Sequence, residues 1–247
     1  MPPLVLTFAA SDPTGGAGLQ ADLLTLAALG CHPLSVLTGF TVQDTRGVEL
    51  LESISAALVT RQARQLLAES KVAAFKVGVL GSADNVRAVA AIAAEHAQVP
   101  LVLDPVLASG RGDPLAGEGV LSALQETLIP RATVVTPNSL EAERLGGSQR
   151  LLDLGCRYVL RTGTHDETPD VINRLYDARG LVREDRWKRL PGSYHGSGCT
   201  LASAIAAALA KGRKVPEAVH EAQEFTWQAL AAGFRSGAGQ SIPNRFY

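Results

Sequence analysis

The sequence contains little cysteine and no excess of charge of either sign. Its three cysteines, Cys31, Cys156 and Cys199, lie far apart and include no CxxC pair. Neither a disulfide framework nor a zinc cluster is expected, and reduced thiols indicate a cytoplasmic protein. Lys plus Arg number 23 and Asp plus Glu number 24, which gives a formal net charge of −1. Because there is no basic excess, nucleic acid is not an expected partner.

A long hydrophobic run is also missing. The apolar stretch at residues 4–10 follows no basic segment and is too short to span a membrane, so we interpret it as a strand rather than an anchor or secretory signal. No membrane partner is expected. Hydrophobic residues make up 46% of the 247-residue chain, which is enough apolar material for a large core.

Short apolar runs alternate with longer helical patterns, which is typical of a mostly parallel sheet flanked by helices. Strands are predicted at residues 4–10, 35–42, 74–80, 101–106, 133–137 and 158–162. Helices are predicted at about 17–29, 55–69, 83–97, 115–128, 139–154, 198–210 and 216–234. Residues 171–175 and 181–187 flank the turn sequence Asp177-Ala178-Arg179-Gly180 and predict an antiparallel hairpin at the sheet edge. We expect a single α/β domain over residues 1–247.

A glycine-rich segment, residues 12–22, follows the first strand and begins a helix. Gly15, Gly16 and Gly18 allow the backbone to approach a ligand closely, although a glycine-rich turn is also an ordinary structural feature. The segment is neither a Walker A motif nor a GxGxxG motif. Asp22 lies within the helical pattern, where it is either a solvated acid or a hydrogen-bond acceptor for a substrate.

A second glycine-rich segment, Gly196-Ser197-Gly198-Cys199-Thr200, precedes the predicted helix at 198–210. Backbone N–H groups at such a helix N-terminus form an anion site. The helix dipole there is expected to lower the pKa of Cys199, so that its thiolate can take a proton from an attacking hydroxyl. The alternative is that Cys199 is a small buried apolar residue.

Polar side chains follow two further strands, where ligands bind in open α/β sheets. Asn138 and Glu141 follow one strand, and Asp104 ends another. Asn138 and Glu141 have the spacing of a capping box. The alternative is that Glu141, with Asn138 and Asp104, holds Mg²⁺ through water beside the phosphates of ATP.

In this order the motifs resemble the hydroxymethylpyrimidine/phosphomethylpyrimidine kinase family of thiamine biosynthesis, a branch of the ribokinase-like superfamily. The matching segments are residues 12–22, 43–48, 76–80, 112–115, 136–142 and 196–200, which span nearly the whole chain. The resemblance implies a three-layer ribokinase-like fold and ATP-dependent phosphorylation of the hydroxymethyl group of a small pyrimidine. It also implies a homodimer.

The resemblance further implies roles for individual residues. Cys199 is the expected catalytic base, and Gly196, Ser197 and Gly198 form the expected anion hole. The pyrimidine is expected beside Ala17, Asp22 and Gln43, although Gln43 could instead be a strand-end cap. The expected Mg-ATP residues are Asp104, Asn138, Glu141, Thr162 and Gly163, with Mg²⁺ held through water by Glu141 and Asp104.

Several positions depart from the family pattern. Where relatives often have Lys-Gly-Gly-His, this chain has Thr162-Gly163-Thr164-His165, with Arg161 one residue earlier. A lysine expected after Asp104 is replaced by Gly110, followed by Arg111; Val79 stands where a Met is common; and the stretch at 145–154 is short. These changes leave open whether the pyrimidine monophosphate is also a substrate.

Two other functions remain compatible with the sequence. A pyridoxal or pyridoxine kinase shares the fold and phosphorylates a hydroxymethyl group on an aromatic nitrogen heterocycle. A non-catalytic pyrimidine-binding protein would retain the pocket without the lysines that neutralise phosphate.

Overall fold

The apolar runs of the sequence form the strands of one sheet. A computed structural model describes residues 1–109, 112–113 and 115–247. The strands of the described residues are β1 Leu4–Ser11, β2 His32–Gln43, β3 Val48–Ser53, β4 Ala74–Val77, β5 Leu101–Leu103, β6 Val134–Val135, β7 Tyr158–Arg161, β8 Asp170–Asp177 and β9 Gly180–Lys188. Their order in the sheet is β3-β2-β1-β4-β5-β6-β7-β8-β9. Six neighbouring strands pair in parallel: β2, β1, β4, β5, β6 and β7. β3 pairs antiparallel at one edge of the sheet, and β8 and β9 pair antiparallel at the other.

Helices cover both faces of the sheet. They are α1 Gly18–Ala28, α2 Ala56–Leu67, α3 Ala83–Glu95, α4 Glu118–Ala123, α5 Ser139–Arg144, α6 Gly147–Asp153, α7 Ser197–Ala210 and α8 Val215–Ala231. On one face Leu6 and Phe8 pack in a core with Val59 of α2 and Val89 of α3. On the other face Val5 packs in a core with residues of α1, α7 and α8. Successive residues of β1 therefore enter opposite cores, which explains why this strand is apolar without alternation.

The predicted sheet, its edge hairpin and the helices on both faces are confirmed, and three local predictions are wrong. β3 was not predicted, because it is a short edge strand with exposed residues such as Leu50 and lacks an apolar run. The helix predicted at 139–154 is two helices, since Gly146 and Gly147 have φ of +89° and +90° and end α5. The helix predicted at 115–128 begins at Glu118 and continues as a π-helical turn, Leu124–Leu128.

α7 is buried around most of its circumference, as predicted, and lies centrally across the sheet. Its first turn lies beside the glycine turn that follows β1 and beside Asp104, which follows β5. No helix in the described part of the chain is long and apolar enough to cross a membrane. The cytoplasmic location and the single-domain organisation inferred from the sequence stay predictions.

Candidate active site

The predicted site residues converge at the carboxyl ends of the parallel strands. Contacts between neighbouring side chains and turns join the following residues into one continuous series: Ala17, Asp104, Asn138, Glu141, Thr162, Gly163, Gly196, Ser197, Gly198 and Cys199. At its centre, the backbone N–H of Gly18 donates to the sulfur of Cys199, and the Cys199 thiol is hydrogen-bonded to Asp104. The thiol therefore lies between the glycine turn after β1 and the carboxylate that follows β5.

The two glycine turns, at residues 15–18 and 196–198, are in direct contact. Gly196 has φ of +86°, a conformation that favours glycine. A Cβ on Gly196 would overlap the carbonyl of Gly16, so a side chain there would force the turns apart. Gly198 is exposed at the N-terminus of α7, and the space beside it faces the carboxylate of Asp104. Gly198 is thus the exposed residue of this turn, and the anion hole at Gly196, Ser197 and Gly198 stays a prediction.

Asp12 organises the turn that follows β1. Its Oδ2 accepts hydrogen bonds from Ala17 N at 2.6 Å and Thr14 Oγ1 at 2.9 Å, and it lies 2.8 Å from Nε2 of His195. Gln43 also hydrogen-bonds to Asp12. Although burial acts to raise it, the pKa of Asp12 is held well below its ordinary value by these contacts. Gln43 is thus linked to the turn at Ala17, while Asp12 and His195 were assigned no role from the sequence.

The expectation that the pKa of Cys199 is lowered is wrong. Burial raises the pKa of the Cys199 thiol to about 12, and the charges of Asp104 and Asp22 act in the same direction. The ammonium of Lys76 and the N–H of Gly18 oppose this change but do not outweigh it. At neutral pH the sulfur is therefore a protonated thiol in the protein without ligands.

Asp22 is neither solvated nor directed at the pocket. It is fully buried, and its oxygens accept from Thr7 Oγ1 at 2.6 Å and Ser203 Oγ at 2.8 Å. The ammonium of Lys76, also fully buried, lies 2.7 Å from Asp22 Oδ1. The carboxylate thus has internal partners on both oxygens, which corrects the expectation of a direct substrate contact in this conformation.

Lys76 is the buried cation at the centre of the site. Burial acts to lower its pKa, but the charges of Asp22, Cys199 and Asp104 outweigh burial and raise it. A lysine in the apolar strand Ala74–Val77 was a signal in the sequence, because a buried ammonium requires a counter-charge. The sequence did not show which carboxylate would supply it.

Asp104 and Glu141 form an acidic pair beside Cys199. Burial raises the pKa of Asp104 to about 6, and burial together with the negative charge of Asp104 raises the pKa of Glu141 to about 8. Asp104 Oδ2 is buried and has no hydrogen-bond partner among the described residues. An unpartnered buried carboxylate oxygen is costly, so this pair is suited to a cation.

The capping-box alternative for Asn138 and Glu141 is confirmed. Asn138 Oδ1 accepts from Glu141 N at 2.9 Å, and Glu141 Oε2 accepts from Asn138 N at 3.0 Å. Glu141 Oε1 accepts from Leu107 N at 3.3 Å. The cap holds the carboxylate in place without removing it from the neighbourhood of Asp104, so the two roles are compatible.

The residues present fit a magnesium ion bound mainly through phosphates. No group of three or more His, Cys, Asp or Glu suited to a metal occurs in the described part of the chain. Mg²⁺ is commonly held by one or two carboxylates together with water and substrate phosphates. Asp104 and Glu141 provide the two carboxylates.

The loop after β7 adjoins the acidic pair and is held by arginine and asparagine. Asn138 forms a backbone bridge with Thr162, and Gly163 N donates to Asn173 Oδ1 at 3.0 Å. Arg189 donates to carbonyls of residues 164, 166 and 168 at 2.8–3.0 Å. Arg161 pairs with Asp166 at 3.0 Å. These contacts fix the loop that lacks the family lysine. Gly110 and Arg111 lie outside the described residues.

An apolar cleft opens beside Asp104. Val79, Val106 and Leu115 line it together with Gly78. Val79, the residue that departs from the family Met, therefore faces this cleft.

Comparison with known proteins agrees with this geometry. A family model described as phosphomethylpyrimidine kinase matches residues 12–244. The hydroxymethylpyrimidine/phosphomethylpyrimidine kinase of Streptomyces coelicolor is 41% identical over 254 residues, covering 96% of this chain and 92% of that protein. The thiamine biosynthesis bifunctional protein ThiED of Geobacter sulfurreducens is 38% identical over 97% of this chain and 51% of that protein.

The structural comparison points to the same class. An ADP complex of Bacillus subtilis pyridoxal kinase superposes with a TM-score of 0.89 and 28% identity, covering 99% of this chain and 98% of that chain. The fold, with its thiol and two carboxylates at the carboxyl ends of the parallel strands, is that of a ribokinase-like kinase. Within that class, this chain belongs to the phosphomethylpyrimidine kinase family.

The Lys76–Asp22 pair should be required for stability as a pair. Lys76→Met leaves a buried carboxylate without its cation and should lower the free energy of unfolding by about 3–5 kcal/mol. Asp22→Asn should have a comparable effect, and the double variant should lose less than the sum of the two. Urea unfolding measures all three, with Lys71→Met, an exposed lysine, as control. Additive losses would contradict the pairing.

Glu141 should make the stability of the ligand-free protein depend on pH. Its pKa rises from 4.5 to about 8 on folding, so the folded state holds the proton more tightly than the unfolded chain. The contribution of Glu141 to the free energy of unfolding therefore decreases as the pH rises from about 4.5 to about 8.

Glu141→Gln keeps a capping acceptor and removes this titration. Relative to the native protein, its melting temperature should increase progressively between pH about 5 and about 9. Differential scanning fluorimetry in a chelator measures it, and Glu143→Gln, exposed in the same helix, should show no such trend. A difference that stays constant with pH would show that Glu141 is not a buried titrating group.

Proposed function

We propose that this protein is an ATP-dependent kinase of thiamine biosynthesis that phosphorylates the hydroxymethyl group of 4-amino-5-hydroxymethyl-2-methylpyrimidine. The observation that carries the proposal is the continuous series of contacts from the turn at Ala17, through Cys199, to the acidic pair Asp104 and Glu141. The series brings the thiol of Cys199, the turn at Gly196–Gly198 and the two carboxylates next to one another, and this arrangement supports the proposal. Membership of the phosphomethylpyrimidine kinase family supplies the substrate class.

The pyrimidine binds on the side of Ala17 and Gln43. Gln43 has a carboxamide that can both donate to and accept from an aminopyrimidine edge, and its contact with Asp12 fixes its orientation. Val79 and Val106, which line the cleft beside Asp104, supply apolar contacts to the ring. Asp22 contributes indirectly, because it holds Lys76 beneath the site.

The nucleotide binds on the side of Asn138, Glu141, Thr162 and Gly163. ATP supplies the phosphoryl group, and Mg²⁺ neutralises part of its charge. Glu141 and Asp104 would hold the ion through water, and its charge would compensate the unpartnered Asp104 oxygen. The backbone N–H groups of the turn at Gly196, Ser197 and Gly198 stabilise the negative charge of the phosphoryl oxygens during transfer.

Cys199 removes the proton of the attacking hydroxyl. Because its pKa is about 12, the thiol must first lose its own proton. Asp104, with a pKa of about 6, is too weak a base to take that proton, which is released to solvent, and at neutral pH it carries a negative charge beside the thiol. Asp104 is also one of the charges that raise the pKa of Cys199, so neutralising this carboxylate favours the thiolate.

A second candidate function is phosphorylation of pyridoxal. The similarity to a pyridoxal kinase over nearly the whole of both chains favours it, and both substrates carry a hydroxymethyl group on a nitrogen heterocycle. Phosphorylation of the pyrimidine monophosphate and assembly into a homodimer stay predictions. Phe40, Val42 and Leu50 form an exposed apolar face on the β2–β3 hairpin that is compatible with such an assembly.

A coupled ADP assay with each substrate supplied separately tests the proposal. Hydroxymethylpyrimidine should give the highest kcat/KM, pyridoxal a lower one, and omission of Mg²⁺ should abolish ADP release. The monophosphate arm determines whether a second phosphoryl transfer occurs. Faster turnover of pyridoxal would establish the second candidate instead, and calorimetric binding of the pyrimidine without ADP release would establish a non-catalytic binding protein.

Replacement of Cys199 should separate catalysis from binding. Cys199→Ala or Cys199→Ser should lower kcat by roughly 10²–10⁴-fold with little change in pyrimidine affinity, because the proton acceptor is lost while the ring contacts remain. Cys199→Asp should restore part of the activity, since a carboxylate is also a base. Cys31→Ala, far from the site in the core beside α7, is the control. A kcat close to that of the native protein for Cys199→Ala would contradict the assignment.

A further inference from the structure

Arg245 is a buried arginine that contacts both glycine turns of the site. Only 3% of its surface is exposed. Its Nη2 donates to the carbonyl of Gly16 at 2.6 Å and its Nη1 to that of Gly15 at 3.4 Å. Its Nε donates to Thr200 Oγ1 at 3.1 Å. One rigid guanidinium therefore joins the turn after β1 to the first turn of α7.

The segment that carries Arg245, residues 234–245, is itself bound to other parts of the pocket. Gly239 N and Gln240 N donate to Thr45 at 3.0 and 2.9 Å, next to the loop that follows Gln43. The carbonyl of Ser241 accepts a hydrogen bond from His195 N at 2.8 Å, immediately before the turn at Gly196. The segment thus contacts three loops that come from distant parts of the chain.

We propose that Arg245 is a positioning residue that fixes the distance between two turns: the turn after β1 at residues 12–18, called the substrate turn, and the turn at residues 196–198, called the anion turn. The local contacts of each turn do not depend on it: Asp12 holds Ala17 N, and Thr200 Oγ1 donates to Gly196 O at 2.8 Å. Arg245 instead sets the two turns relative to each other. Its kinetic consequence rests on the proposed kinase function, whereas its structural consequence does not.

The kinetic consequence follows from how transfer reactions depend on geometry. The pyrimidine hydroxyl is placed by the substrate turn, while Cys199 and the backbone donors belong to the anion turn. A displacement of about 1 Å between reacting groups lowers a rate by up to about 10²-fold. Loss of Arg245 should therefore lower kcat more than it weakens pyrimidine binding.

The structural readout is amide hydrogen exchange in the protein without ligands. In Arg245→Gln, peptides covering residues 12–22 and 193–201 should exchange several times faster than in the native protein. Peptides from the β8–β9 hairpin should be unchanged. Arg235→Gln, an exposed arginine of the same segment, is the matched control and should behave as the native protein. Unchanged exchange in both turn peptides would overturn the proposal.

The kinetic readout is the separation of kcat from KM. Arg245→Gln should lower kcat by about 10–10²-fold with a pyrimidine KM within about threefold of the native value. Arg245→Lys should be intermediate, because an ammonium keeps the charge but lacks the planar fork. If Arg245→Gln does not fold, Arg245→Lys provides the same comparison. A folded variant with unchanged kcat would overturn the kinetic part.

A double-mutant cycle tests whether the connection runs through Thr200. In a Thr200→Val background, Arg245→Gln should reduce kcat less than it does alone, because one acceptor is already gone. Equal effects in both backgrounds would show that Arg245 acts without that contact and would overturn the cross-link. A native protein without kinase activity would refute the proposed function, and hydrogen exchange would still test the role of Arg245.

Discussion

The fully buried ammonium of Lys76 is the constraint on which the site depends. The positive charge of a lysine inside an apolar sheet must be compensated by a negative one, and the carboxylate of Asp22 lies 2.7 Å from the ammonium of Lys76. Thr7 and Ser203 occupy the remaining acceptor capacity of that carboxylate. Since these residues come from β1, α1, β4 and α7, the ion pair ties together the elements that position both glycine turns. The same positive charge acts to lower the pKa of Cys199, whereas burial and the carboxylates raise it.

Around this cation the site contains three buried acidic side chains. Asp22, Asp104 and Glu141 are all buried, and the pKa values of Asp104 and Glu141 are raised as a consequence. An excess of buried carboxylate is unfavourable in the ligand-free protein and favourable for a site that receives a divalent ion with phosphates. The loop at Thr162 and Gly163 meets this acidic pair without contributing a lysine. Its shape is maintained instead by Arg189 and Asn173, which contact its backbone.

The predictions that succeeded concern segments whose periodicity and neighbours are local. β1 and its glycine turn, the buried helix α7, the edge hairpin and the capping box at Asn138 all follow from residues adjacent in sequence. The failures have definite physical causes. β3 is an edge strand with exposed side chains, so it has no continuous apolar run. Glycines at 146 and 147 interrupt a pattern that otherwise continues as a helix.

By itself, the sequence determined the mostly parallel sheet and the glycine turns, because strand ends, glycine and helix starts are encoded by near neighbours. It also determined the family, since the order of its motifs is specific. Only the tertiary structure decided the ionisation of Cys199, because that pKa depends on charges from three other elements. It likewise decided that Asp22 pairs with Lys76 rather than facing the pocket, and that Arg245 joins the two turns. Burial and long-range pairing control these features, and neither can be obtained from residues that are neighbours only along the chain.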